Sequence, residues 1–508
     1  MASRSLRRWL GWVVVLALLA VAGAALYLAW AALPEETLQQ LCHEGWYALS
    51  LAGQRAGHAY IATRLVTQPD GSKRLVETEE LNIRLAAYGA EVAGFSTLTI
   101  EHDAALVPVR YHVVLDLLGQ KQVIEAVREG DTIHAKQTVA GRTTERTLTT
   151  DETFGSEAKL ALASLKGELK EGDRFEFQTF EPTLMDLDRV SVRILGQEAV
   201  QVGDQTVQAN VAELLSAALK TSTTFWFDAT GDVLKMRVPA LMDIAVVKVD
   251  EAEALAEFKP PEIAGSVPVQ GRINDQRAVV RLELEATSKG TPVADLIPVM
   301  PGRQSVTPSD DPRTGRITIT AVAPPEQTGS MPVTERELQP YLAATEFVQS
   351  DDPALIGKAR EIVGDEQDLW KAACQVRQWV YDNMKKRDSY PKPITAKECL
   401  EELEGDCSEH AMLFLGLARA AGVPAKFVGG LVYSKGAFWY HAWNEVYVGN
   451  GVWVAVDATW NEEVADATHL ALGEGALDAA SFARVCLGAA RTMGALELKV
   501  VESQPKAG

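Results

Sequence analysis

The stretch GDCSEHAMLFLGLARAAGVP, residues 405–424, carries the key to this chain. Asp406 is a good helix N-cap and puts Cys407 at the first helical position. Met412, Leu413, Phe414, Leu415, Leu417 and Ala418 make the helix apolar on most sides, which predicts a helix buried at a domain centre. Gly422 and Pro424 stand where a helix should stop. A thiol at a helix start meets exposed N–H groups and the positive end of the helix dipole. Both favour the nucleophilic thiolate, and the same N–H groups can hold an oxyanion. A lone cysteine is more often a small buried hydrophobe, so the following segments must decide.

They read as strands. AKFVGGLVY (425–433) is followed by FWYHAWNEVYV (438–448), a GNG turn (449–451) and VWVAVDATW (452–460) returning antiparallel. His441 and Asp457 therefore lie on paired strands. With a two-residue Asn450–Gly451 loop they point to opposite faces. With a three-residue Gly449–Gly451 loop Val448 pairs with Val452, Asp457 faces Trp443, and His441 becomes its diagonal neighbour at about 7–8 Å or less between Cβ atoms. Only that register, or an equivalent bulge, allows an imidazole–carboxylate bond. Cys407 then reads as nucleophile, His441 as its base and later as acid to the leaving amine, and Asp457 as the group that orients the imidazole.

These segments, with ADATHLAL (465–472), closely resemble the bacterial transglutaminase-like superfamily: a Gly-x-Cys helix start, a Gly-Val-Pro-Ala turn, a His-Ala-Trp strand and a Trp-x-x-x-Asp strand, in order. The resemblance covers about 340–500. It implies a papain-type α/β core, a Cys407–His441–Asp457 triad, and amide chemistry through a thioester. Hydrolysis of a protein or peptide substrate is the leading expectation. Protein cross-linking and a non-catalytic envelope scaffold are the alternatives.

The rest of the 508 residues reads differently. Apolar residues make up 47 % and charged residues 23 %, an ordinary globular balance, and the formal net charge of −20 argues against a nucleic-acid partner. Residues 9–33 carry no charge, follow Arg4, Arg7 and Arg8, and precede Glu35 and Glu36. That pattern predicts a membrane-spanning helix kept as an anchor, with a cleaved signal peptide as the alternative, a cytoplasmic N-terminus at 1–8, and exported main domains in the periplasm or outside the cell. Residues 34–257 show mostly period-two alternation, with one helical insertion at 152–173, and predict an antiparallel β domain. A Pro-bearing break leads into a small β module at 258–335, and the catalytic domain follows at 340–500. The fold class is thus α+β.

The five cysteines form no disulfide framework and no CxxC pair, and no cofactor or metal is expected. His410, three residues after Cys407, has too few neighbouring ligands for zinc and is expected to support the helix start. His469 is expected to act structurally, behind the triad. Trp379 reads as core, from the helical spacing of 353–384, and with Tyr390 is a candidate second oxyanion donor. His102, His112 and His134 are scattered on strand patterns and read as packing or surface residues.

Overall fold

The computed structural model describes residues 33–87, 90–117, 120–156, 158–263, 265–386 and 395–506. Apart from Leu33, the apolar segment 9–33 lies outside these residues, as does Tyr390. Among the described residues no helix is long and apolar enough to cross a membrane. The chain divides into two compact units between Glu262 and Ile263. Both are built mainly on antiparallel sheets.

The first unit is a fourteen-stranded sheet made of two meanders. Eight strands run from His43–Leu51 to Arg142–Thr149, and six from Arg174–Glu181 to Ile244–Val249. The first strand pairs with the last, with Tyr47 opposite Lys248, and so joins the meanders into one sheet. The period-two sequence buries one face: Tyr47, Leu49 and Leu51 are covered in the first strand, and Ile133, Ala135 and Val139 further on. The helical insertion is realised as a short helix, Ala158–Leu165. Leu160 and Ala163 pack with Phe177, Val190 and Leu214, while Leu162 joins Leu38, Leu41, Leu75 and Leu106.

In the second unit the small β module expected at 258–335 does not stand apart. Its strands 266–270, 279–288, 304–308 and 314–320 enter the same nine-stranded sheet as Ala425–Ser434, Ala437–Tyr447 and His469–Gly475. The link is made by Ser266–Gln270, which pairs with the strand carrying His441 on one side and with the C-terminal strand Leu496–Pro505 on the other. The Pro-bearing break falls at the boundary between the two units, and no unit boundary separates the module from the catalytic domain. The module needs the C-terminal strand to cover its edge, and that strand is remote in sequence.

The helices Pro353–Val363 and Leu369–Asn383, split at Gly364, then Ala396–Glu402 and Cys407–Ala420, lead into the site strands. Trp379, expected in the core, is only half-buried, and Lys358 of the preceding helix lies over its ring at 5.4 Å. In contrast, Leu413, Phe414, Leu415 and Leu417 are fully buried. At about 1.5–3 kcal/mol each, those four side chains alone anchor the Cys407 helix firmly.

Candidate active site

Asp406 caps the helix that begins at Cys407. Its Oδ1 accepts from Ser408 N at 3.1 Å, and Glu409 Oε2 accepts from Asp406 N at 2.8 Å, a reciprocal capping box. Cys407 is 6 % exposed. His410 Nδ1 lies 2.6 Å from the Asp406 carbonyl oxygen, so it donates there and braces the helix start. The helix is fastened to the strand Ala437–Tyr447 by Asn444, whose Nδ2 donates to Ala411 O (3.1 Å) and Lys426 O (3.2 Å).

The return strand uses the three-residue loop. Val448 N donates to Val452 O at 3.0 Å, and the ladder pairs Tyr447 with Trp453 and Asn444 with Val456. Continued by one residue, Trp443 faces Asp457, so His441 and Asp457 share a face. Gly449 has φ 98°, and a Cβ there would stand 2.7 Å from Gly329 N, so this corner requires glycine. His441 Nε2 lies 2.9 Å from Asp457 Oδ2. His441 is opposite Gly430 in the neighbouring strand, where a Cβ would collide with the Trp443 ring at 2.6 Å. The Gly-Gly pair inside AKFVGGLVY is thus a place of close approach.

Asp457 is fully buried but surrounded by donors. Oδ1 accepts from Thr459 N (2.7 Å) and Trp460 N (3.4 Å), and Oδ2 faces both His441 and His469 Nε2 (3.4 Å). Burial would raise its pKa, but the two imidazoles outweigh that and hold it well below the usual carboxylate range. Burial lowers the His441 pKa despite Asp457, and His469 and Arg277 push it further down. His469 behaves oppositely. Burial opposes its charge, yet Asp466, Asp457 and Glu462 raise its pKa to about 9. At neutral pH the array therefore reads Asp466 anion, His469 cation, Asp457 anion, His441 neutral. With Nε2 donating to Asp457, His441 Nδ1 is the basic nitrogen, and no protein group bonds it among the described residues.

A second layer holds the imidazole ring. Trp460 stacks on His441 with centroids 4.6 Å apart and planes at 13°. Arg277 lies 4.2 Å over the Trp460 ring, donates to Glu462 at 2.6 Å, to Asp466, and to Tyr433 O at 3.1 Å. Arg277 comes from the segment expected to be a separate module, and no local pattern marks it. Trp460, Glu462 and Asp466 were equally unmarked as partners of the histidines, whereas His469 sits behind the pair as expected. Ligand atoms of His441, Asp457 and His469, and of Glu462, Asp466 and His469, lie within 4.8 Å of one another. A cation there would have to displace Arg277 and the charged His469, both already paired. Trp379, through its contact with Lys358, has its place in the helix pair, and Tyr390 is outside the described residues.

The arrangement can supply a base at Nδ1, a fixed tautomer, and a thiol at a helix start. Residues 356–458 match the family model of the transglutaminase-like superfamily, and this part of the chain is a transglutaminase-like domain. No curated protein sequence matches the chain. Among solved structures, the chain is similar to a candidate cysteine protease from Cytophaga hutchinsonii, at 16 % identity and a TM-score of 0.32, covering 45 % of this chain and 91 % of that one. It is also similar to a β-barrel-like protein of a domain of unknown function from Brucella abortus, at 12 % identity and a TM-score of 0.33, covering 42 % and 97 %. A candidate protease from Parabacteroides distasonis shares 11 % identity over 67 % of each chain, with a TM-score of 0.17. Likenesses this distant say nothing about activity.

Proposed function

We propose that the chain is a thiol enzyme that opens an amide or peptide bond through a Cys407 thioester. His441 Nδ1 takes the thiol proton, and the sulfur attacks the carbonyl carbon. The tetrahedral oxyanion collapses as the C–N bond breaks, and His441 returns the proton to the departing amine. Water, deprotonated by His441, then cleaves the thioester and frees the thiol. An amine entering instead of water would give transamidation by the same steps. Asp457 keeps the Nε2–H tautomer and stabilises the imidazolium. The observation that carries this reading is the 2.9 Å His441–Asp457 bond, which leaves Nδ1 as the base. Hydrolysis of a peptide-like substrate is the reaction proposed, in an exported protein held to the membrane by 9–33. An iodoacetamide-type probe at pH 6 tests the thiol. Faster labelling of Cys407 in the native chain than in His441→Ala supports the pair, and equal labelling refutes it. Incubation with peptide substrates, following ammonia release and product mass, separates hydrolysis from transamidation.

A further inference from the structure

The β unit contains a chamber of about 100 Å³, partly open to solvent, between the sheet and the helix Ala158–Leu165. Its walls are mostly apolar: Leu41, Ile61, Leu75, Leu160, Phe225 and Met236 contribute. Two carboxylates interrupt them. Glu77 and Glu79 lie two residues apart on one strand and so face the same way. They pair across the sheet with Thr63 and Ile61, which also line the chamber. Neither carboxylate has a hydrogen bond or ion pair within the protein among the described residues. Both are half-buried, and both line the chamber.

The nearby groups that could neutralise them are engaged elsewhere. Lys248 pairs with Asp232, beside which Tyr47 donates to Val233 O at 2.9 Å. Lys73 pairs with Glu35 at 3.1 Å. His43 Nδ1 lies 3.0 Å from Leu41 O and its Nε2 3.5 Å from Thr63 Oγ1. Lys159, on the helix, interacts with Asp103. Two carboxyl groups are thus held side by side in an apolar chamber with no protein cation beside them, so ionising both there is costly unless a cation enters.

We propose that this chamber binds a small alkylammonium ligand, its cationic head between Glu77 and Glu79 and its chain along the apolar walls. At about 10–15 Å³ of such space per water-sized group, the chamber takes on the order of eight non-hydrogen atoms, the size of an amine on a six- or seven-carbon chain. An anion would meet the carboxylates, and a neutral alcohol would leave them uncompensated. The site is independent of the cysteine chemistry.

Calorimetric titration of the full-length chain with hexylammonium, hexanol and hexanoate tests this. Hexylammonium should bind at least tenfold more tightly than hexanol, and hexanoate should not bind. Burial holds Glu77 at about 7 and Glu79 at about 8, the second raised further by the first, so amine binding at pH 7 should also release protons. That release is read from the heat in buffers of different ionisation enthalpy. The Glu77→Gln/Glu79→Gln double variant should lose at least tenfold in amine affinity and all proton release, with circular dichroism unchanged. Equal binding of amine and alcohol, no amine binding, or full affinity in a folded double variant would overturn the proposal. If the variant does not fold, the amine–alcohol ratio and the proton release of the native chain still decide it.

Discussion

His469→Gln should reveal the charge behind the pair. His469 is fully buried, with Nε2 3.4 Å from Asp457 Oδ2 and Nδ1 3.5 Å from Asp466 Oδ1. Its pKa rises from 6.5 to about 9 on folding. A difference of about 2.5 units, at about 1.36 kcal/mol each, corresponds to about 3 kcal/mol. Because the folded value is the higher one, this stabilisation is fully present below pH 6.5 and is lost as pH rises through 9. Breaking a buried charged pair by removing one partner costs about 3–5 kcal/mol, which agrees in size. The assay is urea unfolding of both proteins at about pH 6 and about pH 9.5. The gap between native chain and variant should be about 3 kcal/mol larger at the lower pH. The same substitution removes a positive charge that depresses His441, so the acid limb of the activity profile should move to higher pH. A stability gap independent of pH across that window would mean that His469 is neutral and that the reasoning fails.

Three further outcomes follow from the site. Cys407→Ala and Cys407→Ser should both lose turnover while keeping the native circular dichroism, since only the nucleophile changes; appreciable turnover in either would remove Cys407 from that role. Asp457→Asn should be as damaging as Asp457→Ala, a loss of about 10³–10⁴ in kcat, because both carboxylate oxygens accept and an amide must turn its NH₂ toward the imidazoles or toward Thr459 N and Trp460 N. A milder effect for Asn, measured as kcat on the same substrate, would show that orientation matters more than charge. Deleting Gly449 should shift the pairing of 453–457 by one residue and turn Asp457 from His441, with a lower melting temperature and little activity. Full activity in that variant would disprove the register.

The sequence by itself determined the elements near Cys407. An N-cap, an all-round apolar helix, a Gly-Pro stop and a Gly-Asn-Gly turn are local signals, and each acts within a few residues. The side-chain period of two even made the common face of His441 and Asp457 a matter of counting, once the loop length was chosen. Tertiary structure alone decided what long-range packing controls. It merged residues 266–320 with the catalytic sheet, because the edge of Val279–Ser288 is covered by Leu496–Pro505, more than two hundred residues away. It placed Arg277 over Trp460 and Asp457 beside both His441 and His469, and so helped set which histidine carries the charge. Charge at a buried site depends on every group within a few ångströms in space, and a linear pattern does not record those distances.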